Sequence, residues 1–149
     1  MARSRPRASA DGARPSGVAV IHGIGVDLVT VSRVRAAHVR FGARFERRVL
    51  TGAEREELAG LAPGTDPARF LAKRYAVKEA AVKALGTGER EGVLLRDFGL
   101  AHDALGKPEL TVEGVGAERC AQVGVGARHV SLSDEVDAVV AFVVLERAP

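Results

Sequence analysis

The sequence predicts one α+β domain, and three features point to it. The apolar run at 18–28 alternates with a two-residue period. The stretch from 67 to 85 has helical spacing and is punctuated at both ends. Two further apolar runs, 130–133 and 138–146, lie near the C-terminus on either side of a short acidic turn. Strands and helices are mixed without a regular βαβ repeat, so the expected architecture is an antiparallel sheet packed on one long helix and shorter helices.

Each element has its own justification. In the strand at 18–28, Ile21, Gly23, Gly25 and Asp27 fall on one face, and His22, Ile24, Val26 and Leu28 on the other. Glycines beside an acid leave room for another backbone or a ligand to come close. Thr30 or Ser32 then suits the cap of a helix. On that helix Val31, Val34 and Phe41 share a face with Ala37 and His38, while Arg33, Arg35, Arg40 and Arg44 occupy much of the remainder. Thr51 and Glu54 have the spacing of a capping box, which starts another short helix. Residues 61–66 form a loop. Asp66 as N-cap, Pro67 in the first helical position and Gly86 after the last delimit the long helix. Residues 98–102 and 109–113 pair as strands around the Gly106-Lys107-Pro108 turn, and a short helix falls within 115–124. The runs at 130–133 and 138–146 form a final hairpin joined by residues 134–137.

The chain has 149 residues, enough for one domain that buries roughly two-thirds of its unfolded surface. Aromatic residues make up 4%, so Val, Leu and Ala must build the core. The overall charge of +3 is a property of the N-terminus. Residues 1–17 carry Arg3, Arg5, Arg7 and Arg14 against Asp11, whereas residues 18–149 hold 18 basic and 18 acidic side chains. This Arg-, Ser- and Pro-rich segment reads as a disordered tail, with the domain spanning 18–149. The neutral remainder argues against nucleic-acid binding. No apolar run approaches the roughly 20 residues of a membrane span. Cys120 is the only cysteine, which excludes an internal disulfide and a cysteine zinc cluster. A cytoplasmic protein without a membrane segment is the expectation.

The chemistry concentrates in Tyr75-Ala-Val-Lys78-Glu79-Ala-Ala-Val-Lys83-Ala-Leu-Gly86-Thr87-Gly88. Glu79 and Lys83, one helical turn apart, project from the same face of an otherwise apolar stretch. Asp27 supplies a second acid at the end of a distant strand. Mg²⁺ takes oxygen ligands and needs only one or two carboxylates, water and phosphate supplying the rest. Asp27 and Glu79 suffice if the strand end packs beside the helix, with Lys83 left to neutralise a phosphate oxygen. The plainer alternative is an i,i+4 surface ion pair between Glu79 and Lys83, worth a few tenths of a kcal/mol. Gly86-Thr87-Gly88 can present N–H groups to a phosphate or simply cap the helix. The histidines show no metal-ligand spacing, and no serine sits in a nucleophile elbow.

In order and spacing, these segments resemble the holo-acyl-carrier-protein synthase family of phosphopantetheinyl transferases. The likeness begins at Gly23-Ile-Gly25-Val-Asp27-Leu and Arg33-Val34, and is strongest from Phe70 to Gly88. It continues at Gly106-Lys107-Pro108 and ends at His129-Val-Ser131-Leu-Ser133, covering roughly 18–146. It implies the small single-domain fold of that family and transfer of 4′-phosphopantetheine from coenzyme A to a serine of an apo acyl carrier protein. Adenosine 3′,5′-bisphosphate leaves. By the same resemblance Asp27 and Glu79 are the Mg²⁺ ligands, and Lys83 contacts the reacting phosphate and serine. Arg74, Gly86, Thr87 and Gly88 contact coenzyme A, and Arg33, with Arg40 on the same basic face, docks the acidic carrier protein. A homotrimer with active sites between subunits is also implied.

One position departs from the family pattern. Asp134, followed by Glu135, stands where the family usually carries histidine, and the expectation is that one of them faces the Mg²⁺ or a bound water. The carrier protein could belong to fatty-acid or polyketide synthesis. Lys83, Glu79 or a metal-bound water are each candidates to accept the serine proton. The competing reading is a non-catalytic homologue that binds coenzyme A or carrier protein without turnover.

Overall fold

The computed structural model describes residues 17–149. The expectation of a disordered tail over 1–17 falls, but for Gly17, outside them. Strand β1 (Val20–Thr30) leads into helix α1 (Val31–Phe41), α2 (Ala43–Val49), α3 (Gly52–Ala59) and the long α4 (Pro67–Leu85). A 3-10 turn (Leu95–Asp97) precedes the hairpin β2 (Phe98–His102) and β3 (Pro108–Val112). Helix α5 (Gly114–Gln122) and strands β4 (Val125–Asp134) and β5 (Ala138–Arg147) complete the chain. The α+β class is therefore as expected. The antiparallel strands, however, divide into a three-stranded sheet ordered β1-β5-β4 and the separate β2-β3 pair.

Helix α4 lies across the three-stranded sheet against β1 and β5. Its alanines make this approach possible, and so do glycines on the strand. A Cβ added at Gly23 or Gly25 would collide with the carbonyl oxygens of Ala84 and Ala80. Leu71, Ala76, Val77, Ala80 and Ala81 on the helix, with Val139, Ala141, Val143 and Leu145 on β5, are fully buried between the layers. Alternation sends the opposite residues outward. Ile24, Val26 and Leu28 on β1 and Phe142 on β5 stay exposed on the sheet face away from α4.

Several boundaries differ from expectation for local reasons. A register shift between Ile21 and Gly23 breaks the alternation, so Ile21 is exposed rather than facing α4 with Gly23. Phe41 does not join the buried face of Val31 and Val34 and is 47% exposed. The helix ends there because Gly42 adopts φ 48° and turns the chain into α2. Thr30 occupies the N-cap position of α1, but its side chain makes no capping bond. Asp137 does that work from the β4–β5 turn, accepting from the Ser32 backbone N–H and hydroxyl, each at 2.8 Å. The Thr51–Glu54 capping box and the Asp66 cap of α4 form as their spacing predicts.

Beneath α4 lies a buried ionic network. Lys78 is fully buried, with its ammonium 2.6 Å from Glu54 and donating to the Phe98 carbonyl. The Glu54 carboxylate also accepts from the N–H groups of Thr51 and Leu100, both at 2.9 Å. One side chain thus ties together α3, α4 and β2. Desolvation lowers the Lys78 pKa, and Glu54 opposes that shift by favouring the charged form.

Candidate functional site

Close packing of β1 on α4 determines the site. Because Gly23 and Gly25 let the strand lie directly on the helix backbone, Asp27, two residues on, arrives beside the turn that carries Glu79 and Lys83. All three line a cleft of about 320 Å³ with Arg33, Tyr75 and Phe45. Asp27, 52 and 56 positions before Glu79 and Lys83 in sequence, meets them here as their residue types suggested.

The pairing is not the local one. Lys83 donates to Asp27 at 2.8 Å and to the Val26 carbonyl at 3.0 Å, bridging helix and strand. Glu79 instead has the Tyr75 hydroxyl as its neighbour, one turn earlier on the same face. Burial pushes the Glu79 carboxyl above its ordinary value; the neighbouring Tyr75 hydroxyl opposes that shift, and the nearby Asp27 adds to it. The Tyr75 phenol is pushed up to about 12, first by burial and then by Glu79. Two carboxylates in one cleft open to solvent, one of them raised partly by the other's charge, form a place where a cation would be held.

Among the described residues no group of three or more His, Cys, Asp or Glu is positioned to hold a metal ion. A cation here would have two protein carboxylates and take its other oxygens from water or substrate. That donor set suits Mg²⁺, which keeps several waters and commonly shares phosphate oxygens. The fit is therefore good for Mg²⁺ and poor for a structural zinc, which wants four nitrogen or sulfur ligands.

The remaining expected residues divide. Arg33 lines the cleft, and Arg40, seven positions along the exposed side of α1, has its guanidinium 5.0 Å above the Phe41 ring. Gly86 adopts the left-handed conformation with φ 87° and closes α4, its N–H bonding the carbonyls of Val82 and Lys83. Thr87 donates to the Gly88 carbonyl at 2.9 Å. The segment thus begins one turn beyond Lys83 with a helix cap.

Arg74 and Asp134 lie elsewhere. The Arg74 side chain is 7% exposed, paired with Glu57 at 2.6 Å and Glu54 at 3.8 Å, and stacked 3.5 Å from the Phe70 ring. It joins the buried network and is not among the residues lining the cleft. Asp134 pairs with Arg69 at 2.7 Å and Lys73 at 3.2 Å, near the opposite end of α4. Those cations hold its carboxyl below the ordinary range, Lys73 foremost. Arg69 also donates to the carbonyls of Glu135 and Val136, so it grips the whole β4–β5 turn. Neither Asp134 nor Glu135 is among the residues that line the cleft of Asp27 and Glu79.

Tyr75 and Phe45 are the cleft residues that sequence reasoning did not single out. The signal for Tyr75 was present, since it stands four residues before Glu79 and shares its helix face. Phe45 lies beyond the Gly42 break, and no periodicity carried across that break could have placed it.

The chain matches the family described as the 4′-phosphopantetheinyl transferase superfamily over residues 23–143. It is 46% identical over 128 residues to the holo-[acyl-carrier-protein] synthase of Vibrio cholerae, covering 86% of this chain and 99% of the relative. With the Halorhodospira halophila enzyme of the same name it shares 48% over 126 residues, covering 85% and 98%. The crystal structure of the Neisseria meningitidis holo-[acyl-carrier-protein] synthase superposes with TM-score 0.79 at 41% identity, covering 86% of this chain and 100% of that one. A Bacillus anthracis holo-(acyl-carrier-protein) synthase in complex with CoA (3′,5′-ADP) gives TM-score 0.70 at 34% identity, covering 86% and 98%.

Proposed function

We propose, on the footing that this chain belongs to the 4′-phosphopantetheinyl transferase superfamily, that it is a holo-acyl-carrier-protein synthase. It transfers the 4′-phosphopantetheine group of coenzyme A to a serine of an apo acyl carrier protein. Matches of 46% and 48% identity to synthases of that name, spanning nearly their full length, support the reading. So does the likeness to a synthase solved with CoA (3′,5′-ADP). The single observation that carries it within this chain is the convergence of Asp27, Glu79 and Lys83 in one cleft.

In the reaction the serine hydroxyl oxygen forms a bond to the β-phosphorus of the coenzyme A pyrophosphate. The bond from that phosphorus to the bridging oxygen breaks, adenosine 3′,5′-bisphosphate departs with the electron pair, and the serine proton is released to solvent. Such transfers need alignment and neutralisation of charge more than covalent help. Asp27 and Glu79 would hold Mg²⁺, which when bound supplies positive charge to the pyrophosphate oxygens. Lys83, anchored on the Val26 carbonyl and Asp27, holds its ammonium at the cleft wall, ready to neutralise a phosphoryl oxygen. Tyr75 stands beside Glu79 and favours its charged form. Arg33 brings a guanidinium to the rim, where an acidic protein substrate would arrive. The segment Gly86–Gly88, one turn past Lys83, is the part of the chain we assign to the nucleotide half of coenzyme A.

Self-association completes the proposal. Ile24, Val26 and Leu28, between 53% and 68% exposed, form an apolar stripe with Phe142 on the outer face of the sheet. A trimer in which copies cover this face, as the family resemblance implies, would remove it from water. It would also bring residues of a neighbouring copy, including the β4–β5 turn with Asp134, within reach of a cleft.

The deciding experiment incubates an apo acyl carrier protein with coenzyme A, Mg²⁺ and the enzyme, and weighs the product by intact-protein mass spectrometry. A phosphopantetheine mass gain is expected, dependent on Mg²⁺ and absent with Glu79→Ala. Coenzyme A binding without any gain across several carrier proteins would instead favour a binding-only homologue.

A further inference from the structure

The cleft of Asp27 and Glu79 continues past its own walls. Phe45 and Tyr75 also line an apolar trough with Phe41 and Val49. Arg44 and Arg48 carry that trough into a basic hollow with Leu94, Arg47 and Arg96. Arg47 and Arg96 then form, with Arg55, the rim of a further concavity of about 460 Å³. The track thus runs from the acid pair, over an apolar step, to three arginines contributed by α2, α3 and the 3-10 turn.

Those three guanidiniums are exposed, and among the described residues none forms an ion pair, whereas Arg48 is held by Glu89 at 3.5 Å. The acids nearby do little to neutralise them. The buried Asp97 carboxylate already accepts from the Leu94 and Gly116 N–H groups at 2.9 and 3.1 Å. The exposed acids on the lining are Glu89, which already pairs with Arg48, and Glu113. Residues 18–149 hold equal numbers of basic and acidic side chains, so this unpaired positive charge reflects segregation on the surface rather than excess.

We propose that Arg47, Arg55 and Arg96 form a second docking surface for an acidic face of the protein substrate, separate from Arg33 and Arg40 on α1. The proposal rests on the transferase reading above. Three points favour a protein face over a single phosphate group. The guanidiniums stand on three different elements. They are exposed rather than convergent in a buried pocket. Leu94, 38% exposed among them, adds apolar contact of the kind that accompanies arginine in protein interfaces. Exposed pairs contribute little singly, but several of one sign guide association and fix its register.

The test compares wild type with Arg47→Glu/Arg55→Glu/Arg96→Glu, measuring KM separately for apo acyl carrier protein and for coenzyme A over a range of NaCl. The alanine triple variant guards against misfolding caused by charge reversal. The expected result is a rise of about tenfold in the carrier-protein KM with a flatter salt dependence, the coenzyme A KM being unchanged. A carrier-protein KM within twofold of wild type, with the same salt slope, would overturn the proposal. So would a rise in the coenzyme A KM instead, which would reassign the arginines to a nucleotide phosphate. Absence of transfer by the wild type sinks the transferase reading and this surface together, whereas an active wild type with indifferent variants sinks only the surface.

Discussion

Lys83 bonds to Asp27, 56 residues away, rather than to Glu79 on its own helix face. That choice leaves Glu79 free of a lysine partner and ties the end of β1 to the last turn of α4. The lysine therefore has both a positioning and an electrostatic task. Lys83→Ala is expected to lower kcat/KM for the carrier protein by about 10²–10³, the scale seen when one preorganised charge-stabilising donor is lost. Lys83→Arg should recover little, since the longer planar group cannot keep both the Asp27 and Val26 contacts. Steady-state kinetics with the two variants decides the matter. Equal activity in wild type and Lys83→Ala would remove the lysine from the reaction.

Glu79 makes the folded protein sensitive to pH in a direction that can be worked out. Burial raises its folded-state pKa, so the folded state holds that proton more tightly than the unfolded chain does. Stability attributable to Glu79 is then fully present below the ordinary carboxylate value and is lost as pH rises through the raised one. Glu79→Gln should consequently melt a few degrees higher than wild type at pH 7 in the presence of a chelator, with the gap closing near pH 4. Tyr75→Phe removes a hydroxyl that favours the carboxylate, and should cost more stability at pH 7 than at pH 4. Adding Mg²⁺ at pH 7 should raise the melting temperature of wild type but not of Glu79→Gln. Thermal melts across pH, with and without Mg²⁺, test all three.

The glycines of β1 have a geometric reason that can be broken without touching the acids. A Cβ at Gly25 would meet the Ala80 carbonyl oxygen, which is backbone and cannot rotate away. Gly25→Ala should force the strand off the helix, at a cost of at least about 1–3 kcal/mol, the usual range for overpacking. It should also draw Asp27 away from Lys83, so activity falls further than the loss of stability explains. Urea unfolding alongside kcat/KM at a temperature where the variant stays folded separates the two effects.

What could be read from the sequence follows from how local each signal was. Asp66, Pro67 and Gly86 delimit α4 through the chemistry of their own side chains and backbones, so its boundaries were legible. The candidate acids were legible because carboxylates beside glycine and alanine have few structural uses. Partner choice was not. Spacing along α4 offers Lys83 a neighbour in Glu79, and only the packing of β1 supplies the better one. The burial of Arg74 and Lys78 was not legible for a related reason. Both are charged residues in a helix whose buried faces nearly encircle it, and Glu54, which makes their burial tolerable, comes from another helix. Asp134 likewise meets Arg69 and Lys73 through tertiary packing that no local pattern announces.

The Glu54 network predicts an asymmetry. Glu54→Ala strands the buried Lys78 ammonium and leaves the Thr51 and Leu100 N–H groups without their acceptor. Loss of one partner from a buried ion pair costs about 3–5 kcal/mol, so this variant should be close to unfolded at 37 °C. Lys78→Met removes the charge that burial disfavours while Glu54 keeps its two backbone donors and Arg74 nearby. It should cost distinctly less. Denaturant midpoints that rank the two variants the other way would show that Lys78, not Glu54, organises the network.

The outer face of the sheet bears on the assembly and on Asp134 together. In the β1–β5 register Val26 stands opposite Phe142 and Leu28 opposite Val140, so the exposed residues form cross-strand pairs on one surface. A charge at the centre of such a surface leaves the fold intact, because the side chain already faces outward, but cannot be buried against another copy without a partner. Val26→Glu should therefore retain the wild-type circular dichroism and sediment as a smaller species than wild type. If a neighbouring copy completes each active site, transfer activity should fall in step with dissociation and recover at high protein concentration. A wild type that sediments as a monomer at micromolar concentration would refute the trimer and restrict Asp134 to its contacts with Arg69 and Lys73. A dissociated Val26→Glu variant with full activity would show that one protomer holds the whole catalytic apparatus.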